Sequence, residues 1–505
     1  MRLSFSIWLL SLQLLSAASW YVDNAATGSR NGTSWANAWT NLNGITGTSA
    51  GDTVYISGGT TSKTYRDPYW TPANGTAGNP ITYRIGQEAG HSGRAIFDSQ
   101  GVNNAWLFGN GVLKNIIIDG VYNGNRRFVV TNASANYHWA VWCDGVSDIT
   151  IKGLESWESV RFNSGTNIHL QNCFFSPFPP TSGDFTYAVL WSVKTKSGES
   201  MAFTNNSIKQ CEFRLPRSAA NPAWGADGVQ GGRCTDFQSN TLYTVTGMEN
   251  LEWQHGDGWQ TVATAGEGSW CRIANNSFTN FANYGLYWEM TGAVSNVHVF
   301  NNVVSHTDSS TAASAAVGLI VACQGASGVT YSNIVVANNT VVDGYGRAGI
   351  GVADASAANT YQNCVVANNL TYNSGVAGGE QAIRVGNSSG TNGLAIYGNK
   401  SISGIRGTNT IETAQLALAG GDNNIVFTSY AELATANNFH LLSSDTAAIN
   451  AGYDLSAYFT TDSDGNTRSG TWDLGAYEYI APVATYRGFS FGSGVQLIGP
   501  GSVRQ

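Results

Sequence analysis

Short hydrophobic runs rich in β-branched residues recur along the chain, and each run ends at polar Asn or at Gly. Such runs predict β-strands closed by tight turns, where Asn tolerates the left-handed backbone conformation. Four copies, IANNSFTN, VFNNVVSH, VANNTVVD and VANNLTYN, contain an Asn-Asn pair that begins at Asn275, Asn301, Asn338 and Asn368. Repeats of this length with several strands each predict a solenoid in which the asparagines form a hydrogen-bonded ladder.

A second series of runs gives the register of the coils. The runs are DGVQG, DGWQT, YGLYW, VGLIV, AGIGV and QAIRV. Their third positions are predicted to point inward: Val229, Trp259, Leu286, Leu319, Ile350 and Ile383. Alternation places their fourth positions outside: Gln230, Gln260, Tyr287, Ile320, Gly351 and Arg384. We therefore predict an all-β fold, a right-handed parallel β-helix of roughly ten coils.

The amino-acid composition and charge limit the kinds of protein that this chain can be. Charged residues make up 11% of the 505 residues and aromatic residues another 11%, which excludes intrinsic disorder. The formal net charge is −8 and no basic patch is present, so we expect no nucleic-acid partner. The seven cysteines form no C-x-x-C motif, and we expect buried core thiols rather than a disulfide framework.

The first residues, MRLSFSIWLLSLQLLSAASW, indicate export. A short basic start, a brief apolar run and small residues at a cleavage position are typical of a secretory signal peptide over residues 1–18. The alternative is a buried N-terminal helix. No other apolar stretch is long enough to span a bilayer, so we expect a secreted or cell-surface protein without membrane insertion after signal cleavage.

Several stretches resemble a known family. WYVDNAATGSRNGTSWANAWTNL, AGDTVYISGG, NPITYRIG and NIIIDG resemble the first part of secreted bacterial right-handed parallel β-helix proteins of the pectate-lyase-like superfamily. FHLLSSDTAAINAG and DSDGNTRSGTWDLGAYEY resemble the closing module of the same group. The resemblance implies a β-helix over residues 19–430, a closing module over 431–479 and a tail or attachment segment over 480–505. It implies no single activity, because this fold hosts lyases, hydrolases and non-catalytic spikes.

Asp227 and Asp257 open two neighbouring runs, so their Cα atoms should lie about 5 Å apart. Two such carboxylates could divide acid and base roles, bind Ca²⁺, or stabilise turns, as Asp before Gly often does. No cofactor is certain, and Ca²⁺ is the one candidate. His255 could transfer protons or be a surface residue, and Glu289 could pair with Asp257 in glycoside hydrolysis or be a solvated carboxylate.

The same region is rich in side chains that suit sugars. Aromatic faces and planar amides match the apolar face and hydroxyl rim of a sugar ring. The candidate substrate-binding residues are Gln230, Gln260, Trp224, Trp253, Tyr287, Arg384 and Lys194. The Gly that recurs in the second position of the first five runs could form the floor of a groove or fit the corner before the strand.

These features predict an exported protein that binds a polysaccharide and cleaves it as a polysaccharide lyase or a glycoside hydrolase. A lyase needs a base beside a cation that neutralises a uronate, whereas a hydrolase needs two carboxyl groups. The alternative is a glycan-binding adhesin or tail-spike-like protein without catalysis. The sequence contains no heptad pattern that would indicate an oligomeric state.

Overall fold

A computed structural model describes most of the chain. The described residues are 17–67, 69–98, 106–110, 113–131, 139–163, 165–177, 186–191, 205–215, 226–231, 235–244, 257–263, 270–281, 284–290, 292–305, 318–323, 328–342, 348–354, 358–372, 381–386, 394–401 and 439–481. Most of the predicted signal peptide and of the predicted tail therefore lies outside the described residues.

Three long sheets dominate the described residues. The 14-stranded sheet contains Ser19–Val22, Thr53–Ile56, Ile81–Ile85, Lys114–Asp119, Val146–Lys152, Gly165–Gln171, Asn206–Lys209, Thr235–Gln238, Cys271–Ala274, Ser295–Phe300, Thr330–Ala337, Thr360–Gln362, Val365–Ala367 and Ala395–Tyr397. The 12-stranded sheet contains Ser62–Tyr65, Arg94–Asp98, Phe128–Thr131, Leu154–Ser156, Phe174–Phe175, Glu212–Leu215, Thr241–Thr244, Ser277–Thr279, Val303–Ser305, Thr340–Val342, Leu370–Tyr372 and Lys400–Ser401. The 10-stranded sheet contains Leu107–Asn110, Trp139–Asp144, Ser159–Phe162, Thr186–Trp191, Ala226–Gly231, Trp259–Ala263, Leu286–Met290, Leu319–Cys323, Ala348–Asp354 and Gln381–Gly386.

Neighbouring strands in each long sheet are parallel and come from successive coils, so the chain winds through the three sheets in turn. This arrangement confirms the predicted right-handed parallel β-helix. A small antiparallel hairpin joins Val121–Tyr122 to Asn125–Arg126, and a 3₁₀ turn spans Leu42–Gly44. None of the described segments forms a helix long and apolar enough to cross a membrane.

The two residues of each Asn-Asn pair have different structural roles. The first Asn of each pair adopts a positive φ of 50° to 58°, which turns the chain at the corner: Asn275, Asn301, Asn338 and Asn368. The second Asn is buried and forms the predicted ladder. The backbone N–H of Asn302 donates to Asn339 Oδ1 at 3.0 Å, and Asn302 Nδ2 donates to Ile273 O of the preceding coil at 2.9 Å. The ladder therefore connects successive coils through otherwise unsatisfied backbone groups.

The ladder extends beyond the four predicted copies. It runs through Asn240, Asn276, Asn302, Asn339, Asn369 and Asn399. Before Asn240 the same position is held by Cys211, whose N–H donates to Asn240 Oδ1, and by Cys173, whose N–H contacts Cys211 Sγ at 3.4 Å. The cysteines whose side chains are described are free and buried, as predicted: Cys143, Cys173, Cys211, Cys271 and Cys364.

Residues 439–481 pack along the side of the later coils. Phe459 and Trp472 pack against Phe300 and its neighbours on the 14-stranded sheet, while Phe439 packs against residues of the 12-stranded sheet. The first Asn of a pair can also form a hydrogen bond to this segment: Asn338 Nδ2 donates to Gly475 O at 3.0 Å. The C-terminal segment thus covers the Asn-rich corner and leaves the 10-stranded sheet outside these contacts.

Candidate functional site

The register of the 10-stranded sheet matches the register predicted from the sequence. Val229 pairs with Trp259 and Gln230 pairs with Gln260 on the next coil. Gln260 in turn pairs with Tyr287. Asp227 and Asp257 therefore open adjacent coils at equivalent positions. The predicted inward column is buried throughout: Val229, Trp259, Leu286, Leu319, Ile350 and Ile383.

The glycine column does not form the floor of an outer groove. A Cβ added to Gly258 would lie 2.3 Å from Gly285 O and 2.4 Å from Phe278 Cδ1. A Cβ added to Gly228 would lie 2.5 Å from Gly258 O. Both positions face the core and the backbone of the next coil, so the glycines fit the corner before each strand, which was the alternative interpretation.

Asp227 and Asp257 also point inward. Their residues are only 2% and 0% exposed, respectively. Asp227 Oδ1 accepts the backbone N–H of Asp257 at 3.0 Å, and Asp257 Oδ1 accepts the backbone N–H of Tyr284 at 2.8 Å. Each carboxyl group thus binds the next coil in the same way. This arrangement favours the structural role over direct contact with a substrate.

Burial raises the pKa of Asp227 well above its usual range, and the neighbouring carboxyl group of Asp257 raises it further. Asp227 Oδ2 is buried without a hydrogen-bond partner among the described residues. Asp227 Oδ1 and Asp257 Oδ1 already accept backbone N–H bonds, whereas Ca²⁺ takes about six to eight oxygen ligands. The described residues contain no group of three acidic, His or Cys side chains that could hold a metal ion. Among the described residues, Asp227 and Asp257 have no third acidic, His or Cys side chain beside them, and calcium binding at this pair stays a prediction.

We expect Asp227→Asn to flatten the dependence of stability on pH. Because the folded-state pKa of Asp227 lies above the unfolded value of about 3.9, the folded state binds the proton more tightly. Its contribution to stability is therefore full below the unfolded pKa and is lost as the pH rises towards the raised folded pKa. Asparagine keeps the acceptor for Asp257 N–H but cannot ionise, so the variant should be more stable than the wild type at pH 8.

Urea unfolding of both proteins between pH 4 and pH 8 checks this expectation. Asp227→Ala is the control, because it cannot ionise and also removes the acceptor, so it should be about 1–3 kcal/mol less stable than Asp227→Asn at every pH. An Asp227→Asn protein with the same pH profile as the wild type would contradict a buried, structural carboxyl group.

An outer row of side chains lies on the same strands. Gln230, Gln260 and Tyr287 are half-buried on the outer face and stand side by side on successive coils. The ring of Tyr287 stacks on Tyr284 at a centroid distance of 4.9 Å. Since Tyr284 N–H donates to Asp257, the buried carboxyl group helps to position the aromatic part of the row.

The row continues into coils that precede the DGVQG run. Trp142 pairs with Arg161, Arg161 with Leu190, and Leu190 with Gln230. Trp142 and Arg161 are both half-buried on the outer face, in line with Gln230. Aligning WAVWC with the later DGVQG and DGWQT runs would have found Trp142, but the glycine used to set that alignment is absent there.

The side chains of the other predicted site residues lie outside the described part of the chain. Glu289 lies in a strand and pairs with Val262 and Ala322, and Arg384 pairs with Gly351, but the side chains of Glu289 and Arg384 are outside the described residues. The remaining predicted site residues lie wholly outside the described residues: His255, Trp224, Trp253 and Lys194.

Comparisons with known proteins show likeness of fold. No model of a protein family matches the sequence, and no curated protein matches it. Among solved structures, the chain is similar to pectate lyase Pel9A, with 15% identity, a TM-score of 0.47 and coverage of 92% of this chain and 97% of that one. It is also similar to a rhamnogalacturonan lyase, with 14% identity, a TM-score of 0.46 and coverage of 83% and 92%. The surface adhesin PfbA of Streptococcus pneumoniae gives 12% identity, a TM-score of 0.37 and coverage of 68% and 82%.

Proposed function

We propose that this protein is an exported carbohydrate-active protein that holds an extended polysaccharide across the outer face of the 10-stranded sheet. The observation that supports this proposal is the outer row Trp142, Arg161, Gln230, Gln260 and Tyr287, in which Leu190 occupies the position between Arg161 and Gln230. Parallel strands lie about 4.8 Å apart, so a chain that runs along the row meets a new side chain at each step.

The chemistry of the row suits sugars. Indole and phenol rings can pack against the apolar face of a sugar, and the amides of Gln230 and Gln260 can donate to and accept from hydroxyl groups. The guanidinium group of Arg161 can donate hydrogen bonds to a negatively charged substituent of the sugar. The stacking of Tyr287 on Tyr284 limits the rotation of the outer ring, which lowers the entropy lost on binding.

We extend the proposal to cleavage of the bound polysaccharide, by β-elimination or by hydrolysis. Asp227 and Asp257 are buried, so the groups that contact the scissile bond would be His255, Glu289 or Lys194 rather than this pair. His255 or Lys194 could take a proton in β-elimination, and Glu289 could serve as a carboxyl group in hydrolysis.

A second candidate is glycan binding without catalysis, as in an adhesin or a tail spike. The described side chains of the outer row support it, because they include aromatic, amide and guanidinium groups but no carboxylate or imidazole. Such a surface can bind a polysaccharide and has no acid–base pair of its own.

One experiment separates these functions. The secreted protein is incubated with acidic and neutral polysaccharides, with and without a chelator. Absorbance near 235 nm reports the unsaturated uronate of a lyase, and new reducing ends without that absorbance report a hydrolase. We expect binding of at least one polysaccharide together with one of these products. Binding with neither product would support the non-catalytic function, and no binding to any polysaccharide would overturn the whole proposal.

A further inference from the structure

Two tryptophans flank Arg161 because the strand before it contains a bulge. Trp139 pairs with Ser159 but Val141 pairs with Val160, so the register shifts between Trp139 and Val141. Ala140 and Val141 are both fully buried. Trp139 and Trp142, three residues apart, therefore both reach the outer face. Bulges commonly redirect a side chain in this way and often lie beside functional sites.

The guanidinium group of Arg161 lies over both indole rings. Its central carbon is 5.0 Å from the ring centre of Trp142 and 5.4 Å from that of Trp139. Arg161 Nε donates to Asn163 Oδ1 at 2.6 Å, and Asn163 Nδ2 donates to Asp144 Oδ1. These contacts fix the plane of the guanidinium group and place an amide between it and the Asp144 carboxylate.

The charge of Arg161 is not neutralised by an ion pair within the part of the chain that the structure describes. Arg126, which is also half-buried, instead contacts the carboxylate of Glu212 directly at 3.0 Å. A half-buried, oriented guanidinium group with its Nη edge unused by an acidic side chain is suited to bind an anion as a two-pronged fork.

We infer that Arg161, oriented by Trp139, Trp142 and Asn163, forms the part of the surface that binds the carboxylate of an acidic sugar. This inference rests on the proposed function, and it assigns the substrate class and the residue that selects it. The indole rings contact the sugar ring while the guanidinium group binds its carboxylate. Arg161 lies two coils before Gln230, about 10 Å away, so the following sugars would lie over the amide part of the row.

Calorimetric titration with three ligands tests the inference: an oligouronide, the same oligosaccharide after reduction of its carboxyl groups, and a sulfated oligosaccharide. The proteins are the wild type, Arg161→Gln, Arg161→Lys and Arg214→Gln. Arg214 is an exposed residue of the 12-stranded sheet, so Arg214→Gln removes the same charge from another face. Circular dichroism establishes that each variant is folded at the temperature of the titration.

We expect Arg161→Gln to bind the oligouronide about ten- to a hundredfold more weakly, because a charge-assisted contact is lost. Binding of the carboxyl-reduced ligand should change by less than about twofold, as should all binding to Arg214→Gln. Arg161→Lys keeps the charge but loses the planar fork, so its affinity for the oligouronide should also fall, by at least about fivefold.

The outcomes separate the inference from the proposed function. If the wild type binds sugars but Arg161→Gln and Arg161→Lys bind all three ligands as tightly, the inference is wrong and the proposed function stands. Loss confined to the sulfated ligand would also overturn the carboxylate assignment. If the wild type binds neither these ligands nor any other polysaccharide, the proposed function fails, and the inference fails with it.

Discussion

Replacing Tyr287 with alanine should weaken polysaccharide binding by about ten- to thirtyfold, because aromatic residues at the centre of a binding surface are worth about 2 kcal/mol on truncation. The ring of Tyr287 is half-buried, stands in the outer row beside Gln260 and is held by Tyr284. Loss of the ring removes the flat apolar surface on which a sugar would pack.

Tyr55→Ala is the matched control. Tyr55 is also half-buried on an outer face and stacks on Tyr21 at 5.8 Å, but it belongs to the 14-stranded sheet. The control should bind with nearly wild-type affinity. Equal losses in the two variants would show that the 10-stranded sheet has no special part in binding.

The second large effect concerns the scaffold. We expect Asn339→Ala to lower the free energy of unfolding by about 3–5 kcal/mol, because it leaves several buried backbone groups without partners. Asn339 Oδ1 accepts the N–H of Asn302 at 3.0 Å, and Asn339 Nδ2 donates to Val299 O at 3.0 Å. Asn339 and Asn302 are both fully buried, so water cannot replace these bonds.

Urea unfolding measures this loss. Asn125→Ala is the control, since Asn125 is exposed and its Nδ2 donates to Asn123 O within the surface hairpin. It should change the free energy of unfolding by less than about 0.5 kcal/mol. A loss below about 1 kcal/mol for Asn339→Ala would mean that the ladder contributes little to the stability of the coils.

The coil register was predictable because several columns repeat together. The inward series from Val229 to Ile383 and the outward pair Gln230 and Gln260 follow the two-residue period of a strand, and the structure reproduces both. The Asn-Asn pairs predicted a ladder, although the sequence did not reveal which member turns the chain and which one bonds.

The orientation of Asp227 and Asp257 was less predictable. Both residues begin a strand, where the geometry of the preceding corner and not alternation decides the direction of the side chain. Their carboxyl groups turn inward and accept backbone N–H bonds, in keeping with the turn-stabilising role that the sequence analysis left open. Sequence alone does not reveal the neighbours that raise the pKa of Asp227.

Trp142 and Arg161 were missed for a different reason. The bulge after Trp139 breaks the two-residue period, so a simple alternation pattern cannot place both tryptophans on one face. Their strands also lack an Asp-Gly pair at the position of Asp227 and Asp257; the Asp144-Gly145 pair lies at the end of its strand. Only the strand pairing connects this part of the sheet with Gln230 and Tyr287.

We propose that the polysaccharide lies across the outer face of the 10-stranded sheet. Photocrosslinking measures this directly: an oligosaccharide from the best-bound polysaccharide carries a photoreactive group, and mass spectrometry locates the modified residues. We predict modification on Trp139–Asp144, Ala226–Gly231, Trp259–Ala263 and Leu286–Met290, suppressed by excess unlabelled ligand. Specific modification confined to outer residues of the 14- or 12-stranded sheet would contradict the claim.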